Sequence, residues 1–266
     1  MHESAPPPPA STSEEARLPV VELRQYTLRP GRRAALIDLF DSRFVEAQEE
    51  TGMTVIGQFR DLDDPDRFVW LRGFPSMADR ASSLRDFYDG PIWQSHRAAA
   101  NSTMVDSGNV LLLRPARHDS GFRAGERQPW DADGDVDRGV VDATVLSLEG
   151  PADSDTIAFF EREIAPAVTR AGFSILAYLL TEAAPNTFPR LPVREGENVF
   201  VGFAGFADGV VYTRTMRDPL EIIDAMARTT GLLHPPRRLR LEPTSRSALT
   251  GSTRACPAAS HRLTTT

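Results

Sequence analysis

Between residues 20 and 31 the chain reads VVELRQYTLRPG, and its side chains alternate in kind with the two-residue period of a strand. Val21, Leu23, Gln25 and Thr27 fall on one side and Glu22, Arg24, Tyr26 and Leu28 on the other; Arg29-Pro30-Gly31 stops the run. An acid, a base and a phenol in a row on one strand face need water or partners, so that face is either solvated or functional. The period then changes. Residues 32–50 place Ile37, Phe40, Phe44 and Ala47 three and four apart, a helical stripe closed by Thr51-Gly52. Segments 53–61 and 67–74 read as strands joined by an acidic hairpin loop. Ser76 is placed to cap a helix carrying Met77, Ala81, Leu84 and Tyr88, Gly90-Pro91 breaks it and starts another over 92–104, and 109–115 closes as a strand. The predicted order is βαββαβ.

The same order begins again after residue 138. Val21 to Leu28 corresponds to Val141 to Leu148 at an offset of 141 − 21 = 120, which carries Ile37, Phe40 and Phe44 onto Ile157, Phe160 and Ile164. The second hairpin is longer and contains Asn186 and Gly196, so Gly73-Phe74 meets Gly205-Phe206 at 205 − 73 = 132. Pro91 and Pro115 meet Pro219 and Pro243 at 128. A βαββαβ unit covers only one face of its sheet with helices, and two units in one chain can cover each other. The predicted fold class is therefore α+β, two tandem ferredoxin-like βαββαβ units packed sheet to sheet as an intramolecular pseudo-dimeric α+β barrel. The predicted division is a disordered tail 1–19, unit 1 over 20–115, a linker 116–138, unit 2 over 139–243 and a disordered tail 244–266.

Composition narrows the chemistry. The formal charge of −7 and pI near 5.3 argue against a nucleic-acid partner. No apolar run approaches the roughly 20 residues of a membrane span, and the Pro- and Ser-rich start has no leader pattern, so a cytoplasmic setting is expected. Every one of the 30 basic residues is arginine, which excludes Schiff-base chemistry and a Walker A lysine. The lone Cys256 allows no internal disulfide. Asp131, Asp133, Asp135 and Asp137 alternate in the linker, but Val136 stands where a calcium loop needs glycine, and no metal site is expected.

The motifs V-E-L-R-Q-Y-T-L-R-P-G, F-V-W-L-R-G-F, G-P-I-W-Q-S-H and N-V-L-L-L-R-P resemble the NIPSNAP family, within the dimeric α+β barrel superfamily. The resemblance covers 20–115; 140–243 is similar to a degenerate second copy, with Thr144, Leu146 and Gly150-Pro151 in place of the Arg, Tyr and Pro-Gly of the opening motif. It implies small-ligand binding between the sheets, in a superfamily that includes cofactor-independent monooxygenases, isomerases, cyclases and some haem enzymes.

If each apolar strand phase faces its own helices, the opposite phase points into the barrel. Arg24, Tyr26, Gln58, Trp70 and Arg72 would then line one wall of an enclosed space and Tyr178 and Arg240 the other, with arginines on an oxyanion and Trp70 on a ring. Glu22 or Asp142 would remove a proton. Trp93 and His96, three apart on one helix, add an aromatic contact and a general acid or base. The plainer reading of the same residues is a network of mutual ion pairs closing the barrel. Two functions follow: a small-molecule protein that binds an aromatic or polyketide-like ligand and performs proton transfer, rearrangement, cyclisation or oxygenation, or a non-catalytic protein-interaction module on the same fold. No cofactor is expected, haem remains an alternative, and further self-association stays open.

Overall fold

β1 (Val20–Leu28) is buried along both of its faces except at Thr27, because it lies at the centre of a sheet closed on itself. The computed structural model describes residues 18–122, 138–209, 212 and 232–252. Eight antiparallel strands, β1, β2 (Thr54–Asp61), β3 (Arg67–Phe74), β4 (Met104–Pro115), β5 (Val140–Ser147), β6 (Ser174–Thr181), β7 (Val199–Phe206) and β8 (Arg237–Pro243), form a barrel in the order β1-β3-β2-β8-β5-β7-β6-β4. The halves join where β2 pairs with β8 and β4 with β6. β2 and β6 start 174 − 54 = 120 apart and β3 and β7 start 199 − 67 = 132 apart. A bulge between Val55 and Gly57 recurs between Ile175 and Ala177.

Apolar side chains pack the barrel interior. Val21, Leu23, Val69, Leu71, Phe59 and Leu111 of the first half meet Val141, Ala143, Leu179, Val201, Phe203 and Leu239 of the second in one apolar cluster. This corrects the expected strand phase: the apolar side of β1 faces the barrel axis, and Glu22, Arg24 and Tyr26 point outward, toward the helices. The reason is geometric. Side chains from eight strands converge on an interior just wide enough to be filled by them, where a charge would find neither water nor room for partners, whereas the sheet–helix layer is wide enough for arginines to pair. Among the described residues, those expected to line a space between the sheets from the first half face the helices instead.

The helix after β1 is α1 (Arg33–Leu39), a π-helical turn (Phe40–Phe44) and α2 (Val45–Glu49). The turn recurs as Phe160–Ile164 between α5 (Ser154–Phe159) and α6 (Ala165–Arg170). Gly52 and Gly172 end both segments at φ +88 and +92, a left-handed conformation natural to glycine. α3 (Met77–Asp89), capped by Ser76, and α4 (Pro91–Thr103) complete the first layer.

Part of the expected linker and tail is packed. Phe122 and Leu249 enter the barrel core, Leu249 N–H donates to the Ile56 carbonyl and Gly251 N–H to that of Arg138. The acidic run 131–137, Pro219 and Cys256 lie outside the described residues.

Candidate functional site

Outward-facing residues of β1 and β3 and inward-facing residues of the helices meet in a layer that is aromatic except at its centre. Phe40, Phe44, Phe68, Phe74, Phe87 and Tyr88 are buried there around Trp70. Strand pairing sets Glu22 opposite Arg72 and Arg24 opposite Trp70, so side chains remote in sequence share one face.

Glu22 is the hub. Its Oε2 accepts from Arg24 Nη1 at 2.6 Å and Arg72 Nε at 2.8 Å, and its Oε1 from Arg80 Nε at 2.6 Å. Arg24 Nε donates to the Tyr26 hydroxyl at 3.1 Å, and Arg72 Nη1 to Gln48 Oε1 at 3.1 Å. The Arg72 and Arg24 guanidiniums lie 5.0 and 5.5 Å from the Trp70 ring centroid, within cation–π range. All four charged side chains are at most 1% exposed.

Three guanidiniums thus surround one carboxylate. Burial alone pushes the Glu22 carboxyl up, but Arg72, Arg24 and Arg80 outweigh it and hold the group well below the ordinary carboxylate range. Burial pushes the Arg80 guanidinium down, with Arg72 and Arg24 adding to that push and Glu22 opposing it. Burial pushes the Tyr88 phenol up, so it is a neutral donor. Two buried donors, Arg80 Nη2 and Trp70 Nε1, have no hydrogen-bond partner; Arg72 Nη2 reaches Glu22 at 2.8 Å as an ion-pair contact without hydrogen-bond geometry. Unpaired buried donors and surplus positive charge are costly, and an anion supplies what both lack.

Arg24, Tyr26, Trp70 and Arg72 are brought together with Glu22, as the sequence implied, but in the helix layer. Gln58 sits opposite Trp70 across β2 and β3 and shares its face. Trp93 packs at the layer's edge, and the His96 ring stands 6.3 Å from that of Phe44. Asp142, Tyr178 and Arg240 are not part of this group. β5 lies four strands from β1 either way round the barrel, and the apolar core separates Asp142 from Glu22. Asp142 accepts from Arg238 and from the Tyr212 hydroxyl, Tyr178 donates to Glu161 at 2.8 Å, and Arg240 pairs with the exposed Asp63. Glu22 as the proton-removing base is likewise corrected: a carboxylate held ionised by three cations is a poor base.

Three members escaped the sequence reading. Arg80 stands four residues before Leu84 on the buried stripe of α3, and Gln48 four after Phe44; a polar residue at a core position of an apolar stripe was the available signal. Asn186 had none, because it comes from the β6–β7 connection of the other half. Its Oδ1 and the Thr187 hydroxyl accept from Arg80 Nη1 at 3.0 and 3.2 Å.

Among the described residues no three His, Cys, Asp or Glu side chains stand together as a metal site, and no helix is long and apolar enough to cross a membrane. The fold has solved relatives. A proposed monooxygenase from Fusobacterium nucleatum is 9% identical, with 88% of this chain and 97% of that one covered and a TM-score of 0.52. An anthrone oxidase-like protein is 13% identical, with 90% and 96% covered and a TM-score of 0.51. At these identities the likeness is one of fold. A NIPSNAP family protein from Agrobacterium tumefaciens is 22% identical over 37% of this chain and 94% of its own, with a TM-score of 0.35. No match was found among curated proteins. The model of the NIPSNAP family matches residues 21–118, the segment that carries β1, the ion network and α1 to α4.

Proposed function

We propose that the protein is a tandem pair of ferredoxin-like units whose first unit binds an aromatic or polyketide-like molecule bearing a carboxylate, enolate or phenolate. The ligand lies in the layer between β1, β3 and the helices. The observation that carries this is the buried set of three arginines against Glu22 alone, flanked by aromatic rings. Such a layer favours the ionised form of a bound enol or phenol, since a ligand that gives up its proton to solvent on binding becomes the missing counter-charge. It suits reactions that pass through a stabilised carbanion; proton transfer and rearrangement need no co-reactant, and oxygenation needs dioxygen. The fold shared with a proposed monooxygenase and an anthrone oxidase-like protein supports a tailoring enzyme of this kind, and no step calls on a cofactor.

In this reading Glu22 organises the arginines, Tyr26 and Tyr88 donate hydrogen bonds, and Arg80, whose Nη2 is unpartnered, meets the anion. The test uses 2-naphthoate and its neutral counterpart 2-naphthamide in thermal unfolding. Naphthoate is expected to raise Tm by linkage and naphthamide to leave it unmoved; equal shifts, or none from either, would overturn the reading.

A further inference from the structure

The two halves differ most in one connection. β2 and β3 are joined by residues 62–66, whereas β6 and β7 are joined by residues 182–198, and 17 − 5 = 12 is the insertion that moves the repeat offset from 120 to 132. The longer connection does not fold over its own half. It crosses to the first half and closes the Glu22 layer. Phe188 is buried among the first-half aromatics beside Tyr88, with centroids 6.1 Å apart and planes at 24°, and Leu191 packs against the same cluster. The Thr187 hydroxyl donates to the Met77 carbonyl at 3.1 Å, and Arg190 pairs with Asp89 at 2.8 Å across the α3 surface.

The contact at the tip is chemically odd. Arg80 is a fully buried cation, yet its outward Nη1 is held by two neutral oxygens, Asn186 Oδ1 and Thr187 Oγ1, and its Nη2 by none. Asn186 Oδ1 also accepts from Phe188 N–H at 3.0 Å, so one amide oxygen both shapes the turn and covers the cation. Charge-assisted bonds to an anion are roughly twice as strong as those to a neutral acceptor. An anionic group that takes Arg80 bidentately, through the unpartnered Nη2 and Nη1 together, therefore displaces these two oxygens from Nη1.

Both legs are anchored on β4, Glu182 N–H donating to the Leu112 carbonyl at 2.9 Å and Arg194 N–H to that of Val110 at 2.8 Å, which leaves the span between these anchors to move as a piece. Leu112, Leu180, Ala184, Val193 and Glu195 line a cavity of about 420 Å³ beside these anchors. Pro185, Pro189 and Pro192 stiffen the span between the legs, and Gly196 turns the second leg at φ +74. The Arg190–Asp89 pair is more than half exposed on both sides and holds the tip weakly.

We infer that residues 182–198 are a gate supplied by the second half, in which Asn186 and Thr187 occupy Arg80 in place of the ligand's anionic group, and that an aromatic anion binding at Arg80 releases the gate. This rests on the anion-binding reading above and adds to it that ligand and gate compete for the same nitrogen. Gate position is readable with trypsin, which cleaves after arginine, at Arg190 within the span.

The experiment measures 2-naphthoate affinity and the rate of tryptic cleavage after Arg190, for the unaltered chain and for Asn186→Ala/Thr187→Ala. In the unaltered chain saturating naphthoate is expected to speed the cleavage several-fold. The double variant is expected to be cleaved faster without ligand and to bind naphthoate about tenfold more tightly, because the closed state no longer competes. Binding with no change in cleavage, and equal affinity in the variant, would make the segment a fixed cover and overturn the gate alone. No binding by either protein would overturn the anion site and the gate with it. Far-UV circular dichroism establishes that the variant is folded; the altered side chains sit on a connection, not in the barrel.

Discussion

The outer layers of the two halves occupy equivalent places and have become opposites. Glu22 corresponds to Asp142, but Arg24 to Thr144, Tyr26 to Leu146 and Gln48 to Val168 at 120, and Trp70 to Gly202 and Arg72 to Ala204 at 132. Where Trp70 stands between guanidiniums, a Cβ on Gly202 would already be 3.6 Å from the Phe160 ring, and Phe160 packs with its ring tilted against Phe200 and Tyr178. Among the described residues Asp142 hydrogen-bonds one arginine, Arg238, which comes from the neighbouring strand β8. The result is a balanced pair with Arg238 20% exposed, against a sealed site with three cations per anion. One barrel thus carries a charged cluster under the helices of one half and a filled apolar layer in the other. The second half supplies instead the connection that reaches over the first.

The largest predicted contrast is in stability. Removing Glu22 by Glu22→Ala leaves three buried cations uncompensated and should cost about 3–5 kcal/mol. Asp142→Ala leaves a cation that can turn to water and should cost about 1–3 kcal/mol. Urea unfolding of the two variants checks the order, and equal losses would remove the distinction between sealed and balanced.

Acid unfolding sharpens it. The folded-state pKa of Glu22 lies below its ordinary 4.5, so the stability it contributes is present in full above that value and is lost as pH falls from there through the folded pKa. Glu22→Gln should therefore flatten the fall in stability below pH 4.5, in denaturant midpoints taken from pH 7 downward. An unchanged slope would mean that the carboxylate is not held by the arginines.

Removal of the Phe188 ring by Phe188→Ala should cost no more than the about 3–5 kcal/mol of a buried aromatic, and less to the extent that the gate yields without the barrel. Amide exchange locates the effect: faster exchange confined to 182–198 and its α3 contacts is expected, and faster exchange throughout β1 and β3 would show that the gate is part of the core.

Much of this architecture was legible in the chain. Strand alternation, the Ser76 cap, the Gly52 stop and the offsets of 120, 132 and 128 carry β1 to β8 onto their places, because local periodicity and turn chemistry are sufficient for elements of this length. Which strand face is the barrel axis was not legible. Alternation separates water from core in a half-buried sheet, but in β1 both faces are buried, and the choice between them rests on the convergence of eight strands, a property of the closed barrel. Arg80 was hidden for a different reason, an arginine on a helix being ordinarily a solvent group. Asn186 was hidden because its partner lies 106 positions away in the other half.

The smallest effect concerns Arg240, expected from sequence to line the ligand space. It is paired with Asp63 at a surface where the two are 34% and 51% exposed, so Arg240→Ala should change stability by under about 1 kcal/mol and leave naphthoate binding untouched.

The central claim, that the first-half layer and not the barrel interior or the second-half layer receives an anion, is tested most directly by calorimetric titration of 2-naphthoate into Arg80→Gln and Arg238→Gln side by side. Loss of binding in Arg80→Gln with unaltered affinity in Arg238→Gln is the predicted result. Retained binding in a folded Arg80→Gln protein, or loss in Arg238→Gln, would contradict it.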